Sequence, residues 1–424
     1  MAVEMMARLR GRWPSRARVS LLGVALAGML AATGCEDART ARPRRAAVRQ
    51  VPRPQPPRQH QVEEVVAPPD PLKVWPPQAL WLVRRAWRSP ADIASVMQRC
   101  QEAGFNTVLF QVRGNATAYY ESPYEPWDEE YRGKPPPFDP LAVACTEAHR
   151  RGMALHAWVN VMPAWHGDAP PADAHQLYNT HPEWFLQDQQ GRRQPLSGRF
   201  YVSLNPCLPE VREYLVKVFT DIVRRYPVDG LHLDYVRIPL DEAPGGSDYP
   251  CDRRTLSLYA QATGKRPEQD RPSWNRWRTQ QVTQLVWRLR IAMNHTRPGV
   301  RLTAACLPDI ERARQDSFQD APAWLMQSLV DLVFVMNYTD NLPAFQRRQS
   351  EWLRATGGAW IAPGISLSVP DRKTVKAVAD QVRQAQAWGR GFCLFSSTVL
   401  FADNVHGRQC RDALRRIMRG VAAR

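Results

Sequence analysis

The sequence predicts a (β/α)8 barrel (a TIM barrel) with long loops after strands three and four, and three observations carry that prediction. Eight short apolar runs rich in β-branched or aromatic residues alternate with helical patterns, the arrangement of a parallel sheet with crossover helices. The runs extend from Leu82 to Trp87, Asn106 to Arg113, Met153 to Asn160, Gly230 to Tyr235, Val300 to Cys306, Leu332 to Tyr338, Ala359 to Ile365 and Gly391 to Phe395. Two connections, Val161 to Asn205 after the third run and Ile238 to Arg271 after the fourth, are longer than a barrel needs. The first run lacks the Gly-rich turn of nucleotide-binding sheets, which leaves a doubly wound sheet as the weaker alternative.

The barrel domain is expected over residues 79–424, and what precedes it reads differently. Arg8, Arg10, Arg12, Arg16 and Arg18 come before an uncharged stretch from Val19 to Ala32 that is too short for a permanent membrane span. That is the order of a signal peptide. It closes on Ala31-Ala32-Thr33-Gly34-Cys35, which resembles a bacterial lipobox, so residues 1–34 are expected to be removed and Cys35 to be lipidated. Residues 35–78 are expected to form a tether. Between Arg42 and Pro77 stand 10 prolines and a single aromatic residue, Trp75, a composition that buries too little apolar surface to order itself.

This leader also carries much of the charge. Of a formal net charge of +16, 13 basic residues against 6 acidic ones fall at or before Lys73. The body is only mildly basic, so no nucleic-acid partner is expected. A hydrophobic content of 44% excludes a fibrous or wholly disordered chain. Beyond Cys35, the cysteines at 100, 145, 207, 251, 306, 393 and 410 are odd in number and lack zinc-ligand spacing. They read as small core residues, and neither a metal nor a cofactor is implied.

Within the body, Val211, Tyr214, Leu215, Val218, Phe219, Ile222, Val223 and Tyr226 keep the spacing of one helix face, and Pro209 suits its first turn. The two long connections leave from C-terminal strand ends, which places Trp165, Trp184, Phe185 and Tyr201 on the rim where barrels keep their sites. Side chains alternate along a strand, so parity sorts inward from outward residues. In the third run Ala154, His156, Trp158 and Asn160 share one face against Met153, Leu155, Ala157 and Val159. In the fourth, outward Leu231 and Leu233 turn His232 and Asp234 inward. The same test directs Gln111 and Arg113 of the second run, and Arg85 and Trp87 of the first, to one mouth. Ionisable groups inside a barrel carry a desolvation cost unless they pair or meet a polar ligand, so their convergence is the functional signal. For any one of them the alternative is a structural network, such as Asp234 paired with Arg113 or Arg237.

Several stretches then resemble one family. They are DGLHLDYVRIP (Asp229 to Pro239), GFNTVLFQVRGNATAYYESPYEPW (Gly104 to Trp127), HRRGMALHAWVN (His149 to Asn160), HPEWF (His181 to Phe185), LNPCLPEVREYL (Leu204 to Leu215), SFQDAPAWL (Ser317 to Leu325) and VFVMNYT (Val333 to Thr339). In colinear order they are similar to the glycosyl hydrolase-like family 10 of bacterial lipoproteins. The resemblance implies a (β/α)8 barrel, a glycoside hydrolase of the cell envelope, and a polysaccharide partner such as peptidoglycan glycan strands stripped of their stem peptides. It also implies attachment through a lipid anchor to a bacterial membrane, at the outer membrane or its periplasmic face.

Glycoside cleavage needs two carboxyl groups across the scissile bond, one as proton donor and one as nucleophile or base. Asp234, inward at a strand's C-terminal end, is expected to be one, with His232 or Arg237 placed to hold it ionised. Asp309 ranks first as the other because its strand adjoins; Asp340 after the sixth run and Glu125 after the second are alternatives. Asp229 opens its strand at the opposite end, where a structural role is expected. Arg113, His156, Asn160, Arg237, Asn337 and Tyr338 are candidates for hydrogen bonds to sugar, and Trp87, Trp158 and Trp165 for flat faces against pyranose rings. Metal-assisted hydrolysis would place a His-x-His pair on the first strand, which reads LVRRAW; nor is there a P-loop, a dinucleotide fingerprint or a GxSxG elbow. The alternative from another class is a noncatalytic glycan-binding barrel, and the second carboxylate discriminates between the two.

Overall fold

In the computed structural model, eight parallel strands close on themselves, with helices on the outside. The structure describes residues 67–70, 74–239, 248–368 and 373–421. The expected signal segment, Cys35 and the tether to residue 66 lie outside the described residues, as do residues 240–247 of the second long connection.

The chain runs through β1 (Gln78–Leu82), α1 (Pro90–Glu102), β2 (Thr107–Arg113), α2 (Pro140–His149) and β3 (Ala154–Asn160). The first long connection then folds as β4 (Pro163–Gly167), α3 (Leu177–Thr180) and β5 (Ser197–Ser203). After α4 (Pro209–Arg225) and β6 (Gly230–Asp234) come α5 (Arg253–Thr263), α6 (Arg271–Thr296) and β7 (Arg301–Cys306). The last part comprises α7 (Ile310–Ser317), α8 (Ala321–Met326), β8 (Leu332–Met336), α9 (Leu342–Ala355), β9 (Ile361–Ser366), α10 (Val375–Ala387), β10 (Phe392–Phe395), α11 (Ser397–Leu400) and α12 (Val405–Val421). Strand order around the barrel is β1, β2, β3, β6, β7, β8, β9, β10 and back to β1. β4 and β5 pair antiparallel as a separate hairpin.

Local chemistry sets the helix starts. Ser89, Asp139, Asp252, Asp270, Asn341 and Thr374 each accept a backbone N–H in the first turn of the helix that follows, a contribution of about 1 kcal/mol per cap. Proline stands in the first turn of α1, α2, α4, α6 and α9, where a missing N–H costs no hydrogen bond.

Strand parity divides the apolar residues into two cores. Leu155, Val159, Leu231 and Leu233 pack outward against the helices, among them Val211, Leu215 and Val218 of α4. Ala79, Trp81, Leu109, Trp158, Ala305, Phe334, Met336, Ala362 and Cys393 fill the inside of the barrel. Gly230 faces His156 across the β3–β6 ladder, where a Cβ would lie 2.6 Å from the imidazole, so only glycine admits the ring there. Among the described residues all seven cysteines are free thiols, six of them buried.

Two expectations are corrected. The first strand is QALWL, ending at Leu82 and paired with β2 and β10, and not the run from Leu82 to Trp87. The chain leaves it through a turn in which Arg85 adopts φ 67°, so Arg85 and Trp87 are not strand residues; Trp87 stacks on Phe110 in the outer core. In β2 the register slips between Gln111 and Arg113, so Gln111 lies opposite Trp158 but Arg113 opposite Val159. The slip turns Arg113 to the outward side.

Candidate active site

The inward polar residues occupy two heights. The lower set begins at Trp81, whose indole N–H donates to His232 Nε2 at 3.0 Å. An indole only donates, so Nδ1 of His232 carries the ring proton and donates to Thr303 Oγ1, also at 3.0 Å. The Thr303 hydroxyl lies 3.4 Å from His156 Nδ1. Burial lowers both histidines, His232 well below the usual imidazole range and His156 to about 4, so both rings are neutral. His156 faces a cavity of about 550 Å³ at the N-terminal end of the barrel, shared with Trp75, Asp229 and Arg301. That end of a barrel serves stability. His156 is therefore a core residue and not a sugar ligand, and His232 cannot hold Asp234 ionised. Asp229, at the same end, accepts from His149 Nε2 at 2.9 Å and from the Leu155 N–H at 2.8 Å.

Asp234 closes β6 one layer higher. Its Cα pairs with that of Asn160, the last residue of β3. Its Oδ1 accepts the Tyr235 N–H at 2.7 Å, and Arg237 Nη1 stands 3.9 Å away. Burial raises the proton affinity of this carboxyl, opposed by Arg237, the Tyr235 N–H and the Trp158 indole. Trp158 Nε1 makes no hydrogen bond of ordinary geometry, so it acts on the carboxylate as a nearby dipole. Tyr235 takes the left-handed conformation at φ 51°, which costs a non-glycine residue on the order of 1 kcal/mol. Across the mouth, Tyr338 lies in the field of Asp234 and stacks on Phe395 with ring centroids 5.7 Å apart.

From Asp234 the polar layer continues strand by strand. Asn160 Nδ2 donates to the Gly114 carbonyl at 3.1 Å, Gln111 Nε2 to Asn160 Oδ1 at 3.4 Å, and the Arg84 N–H to Gln111 Oε1 at 3.2 Å. The hairpin forms a wall above it. His166 meets Tyr201 at 5.0 Å between centroids, Tyr201 meets Tyr235 at 5.5 Å, and the Arg237 guanidinium lies 4.2 Å over Tyr235.

The structure thus brings Asp234, Trp158, Asn160, Arg237 and Tyr338 together and sets other candidates apart. Arg113 is fully buried; Nε donates to both oxygens of Glu125 at 2.9 and 2.8 Å, and Nη1 donates to the carbonyls of Val161 and Pro163. Arg113 and Glu125 are a structural pair, neither a ligand nor a catalytic acid. Asn337 donates to the Phe345 carbonyl and accepts from Arg348, tying β8 to α9 instead of facing the mouth. Asp309 is an exposed N-cap, accepting the Arg312 N–H of α7 at 3.0 Å, and not a carboxyl held against Asp234. Trp165 is buried, with its indole donating to the Ala169 carbonyl at 2.8 Å, and belongs to the core.

Arg84, His166 and Tyr235 escaped the sequence reading, whereas Tyr201 was placed on the rim without a role. The first was hidden by the misplaced strand, the second by a hairpin inside a segment read as loop. The pair Tyr235 and Arg237, just past an inward Asp, was the available signal.

The sequence model of the family described as Glycosyl hydrolase-like 10 matches residues 78–356. The glycosyl hydrolase DigH of Escherichia coli strain K12 is 28% identical over 294 residues, covering 61% of this chain and 61% of DigH. The glycosyl hydrolase YngK of Bacillus subtilis strain 168 is 28% identical over 215 residues, covering 50% of this chain and 38% of YngK. The chain therefore spans less than two thirds of the length of either relative. Among solved structures, the glycoside hydrolase domain of PgaB (BpsB) from Bordetella bronchiseptica superposes with a TM-score of 0.58 at 13% identity, covering 80% of this chain and 98% of that one. An α-L-fucosidase from Paenibacillus thiaminolyticus gives 0.57 at 16% identity over 82% and 49%. At such identities these two likenesses speak for the barrel fold alone.

Proposed function

The chain belongs to the glycosyl hydrolase-like 10 family, and from that premise we propose that it is a glycoside hydrolase acting on a polysaccharide of the cell envelope, with peptidoglycan strands stripped of stem peptides as the substrate class. The observation that carries this reading is Asp234, a buried carboxyl of raised proton affinity at the C-terminal end of a barrel strand, open to a mouth walled by aromatic rings. A carboxyl whose proton affinity is raised by burial suits the donor role toward a glycosidic oxygen. The second carboxyl is assigned to Asp340, exposed two residues beyond Tyr338, which stands within the field of Asp234. The Tyr338–Phe395 stack offers apolar surface to a sugar ring, while Trp158, Arg237 and Asn160 order the floor around Asp234.

Attachment through Cys35 is part of the same proposal, supported by the arginines, the apolar stretch and the small residues before it. No helix among the described residues is long and apolar enough to cross a membrane. Cys35→Ser is expected to move the protein out of the membrane fraction; unchanged fractionation would point to another anchor.

The central test incubates the full chain with a panel of polysaccharides, stripped peptidoglycan among them, and measures new reducing ends. They are expected from stripped strands and to be absent with Asp234→Asn. Retention of glycan without new ends would mark a binding barrel instead.

A further inference from the structure

Arg84 stands at the far end of the polar layer that begins at Asp234, and its guanidinium is held without being consumed. The group lies over Gly114, where a Cβ would come within 2.0 Å of Cζ, so the glycine makes the cradle. Nη2 donates to Asn115 Oδ1 at 3.3 Å, Nε is buried without an acceptor, and no group among the described residues accepts from Nη1. Asp128 meets it as a long ion pair without a hydrogen bond. That carboxylate accepts from Arg85 Nε at 3.2 Å and from Thr117 Oγ1 at 2.9 Å, and stands 3.9 Å from Arg84 Nε. Arg85 also reaches Glu129, its Nη2 standing 3.3 Å from Oε2, so both carboxylates are held at hydrogen-bonding distance by Arg85, and Arg84 meets Asp128 only at the longer range. On the mouth side Tyr201 lies within the field of Arg84, and the proton affinity of His166 is lowered by burial and by Arg84 and Arg85, with Asp168 opposing.

We infer that Arg84, with Tyr201 and His166, forms a subsite for a carboxylate carried by the glycan, so that the enzyme selects acidic over neutral strands. The inference rests on the glycan-cleaving reading of Asp234 for its context. It adds the requirement that an anionic substituent lie on the hairpin side of the scissile bond. A guanidinium already positioned and desolvated recognises a carboxylate more strongly than a flexible surface cation does. Two sources present that group: the lactyl ether of an amino sugar in a stripped peptidoglycan strand, and the ring carboxylate of a uronic acid.

The test measures binding calorimetrically with the full chain carrying Asp234→Asn, so that ligand is not consumed. Oligosaccharides from stripped peptidoglycan are compared with the same material after amidation of their carboxylates, and with oligouronates. Acidic strands are expected to bind tighter than amidated ones by about tenfold or more, a ratio that Arg84→Gln brings toward one and Arg84→Lys partly keeps. An Arg84-dependent preference for oligouronates over amidated strands upholds the subsite and assigns the carboxylate to the ring. Equal binding of acidic and amidated strands overturns the subsite, and so does a preference that survives Arg84→Gln while Arg84→Lys behaves as the parent. Turnover of the unmodified chain separates this from the broader reading. Reducing ends without acidic preference sink only the subsite, and acidic preference without reducing ends from any glycan sinks only the catalytic role.

Discussion

The two polar layers inside the barrel use the same strands and the same parity, yet they differ in what their groups still have to offer. In the lower layer Trp81, His232 and Thr303 satisfy one another, and both histidines are neutral. One layer up, Asp234 has a single backbone donor at short range and a guanidinium 3.9 Å away, and its side chain keeps 11% of its surface exposed. Parity says that a side chain points inward. Height along the strand decides whether it meets other side chains or a ligand. Inward polarity alone is therefore a poor marker of function, and unfilled hydrogen-bonding capacity at the C-terminal end is the better one.

The sharpest way to break this contrast is Asp234→Asn. It keeps shape and removes proton exchange, so turnover is expected to fall by on the order of 10³-fold or more, with no loss of melting temperature. A structural carboxylate would instead give a folded variant with near-normal turnover or a protein destabilised by several kcal/mol. The Arg113–Glu125 pair supplies the opposite case, a closed network read from sequence as a ligand group. Arg113→Met strands a buried carboxylate and is expected to cost about 3–5 kcal/mol, whereas Arg113→Met with Glu125→Leu recovers much of that loss. A stable single variant with weakened glycan binding would return Arg113 to the site.

Titration sharpens the same comparison because the layers carry opposite signs. Each lower histidine is depressed in the folded state, so its contribution is fully present above the ordinary value of 6.5 and is lost as pH falls through the folded value, about 4 for His156. Urea unfolding across this range should lose up to about 1.4 kcal/mol per pH unit for each histidine. Asp234 is raised in the folded state, so its contribution is present below 3.8 and is lost as pH rises through its folded value. Removing it with Asp234→Asn should steepen the acid loss of stability. A profile flat between pH 4 and 6.5 would mean that the histidines are protonated inside the barrel.

Much of this was legible beforehand, and the failures have physical causes. Seven of the eight strands fall where the apolar runs place them, because strands buried on both faces read as continuous hydrophobic runs. The first does not: QALWL is bounded by Pro76 and Pro77 on one side and by Arg84 and Arg85 on the other, and the run was shifted toward Trp87. Asp234 was legible from parity, whereas Arg113 was misplaced because one irregular pairing in β2 inverts every later side chain. His156 and His232 were placed inward correctly, but their height was invisible without the register that sets Gly230 against His156. Asn337 and Asp309 failed because short polar residues after a strand serve helix starts and ties to the next helix as readily as ligands.

Asp309 allows the finest cut between a group already engaged and one still open. A helix cap needs an acceptor for the Arg312 N–H, and asparagine provides it nearly as well as aspartate. Acid, base or nucleophile chemistry needs a group that ionises, which asparagine does not supply. As a cap, Asp309→Asn should leave the melting temperature and the turnover close to those of the parent, and Asp309→Ala should lose about 1 kcal/mol of stability. In Asp340→Asn, by contrast, turnover should collapse while the fold holds, since that exposed carboxyl is assigned to the chemistry. If turnover collapses in Asp309→Asn at an unchanged melting temperature and survives in Asp340→Asn, the second carboxyl belongs to the cap that follows β7, the strand paired with β6 of Asp234.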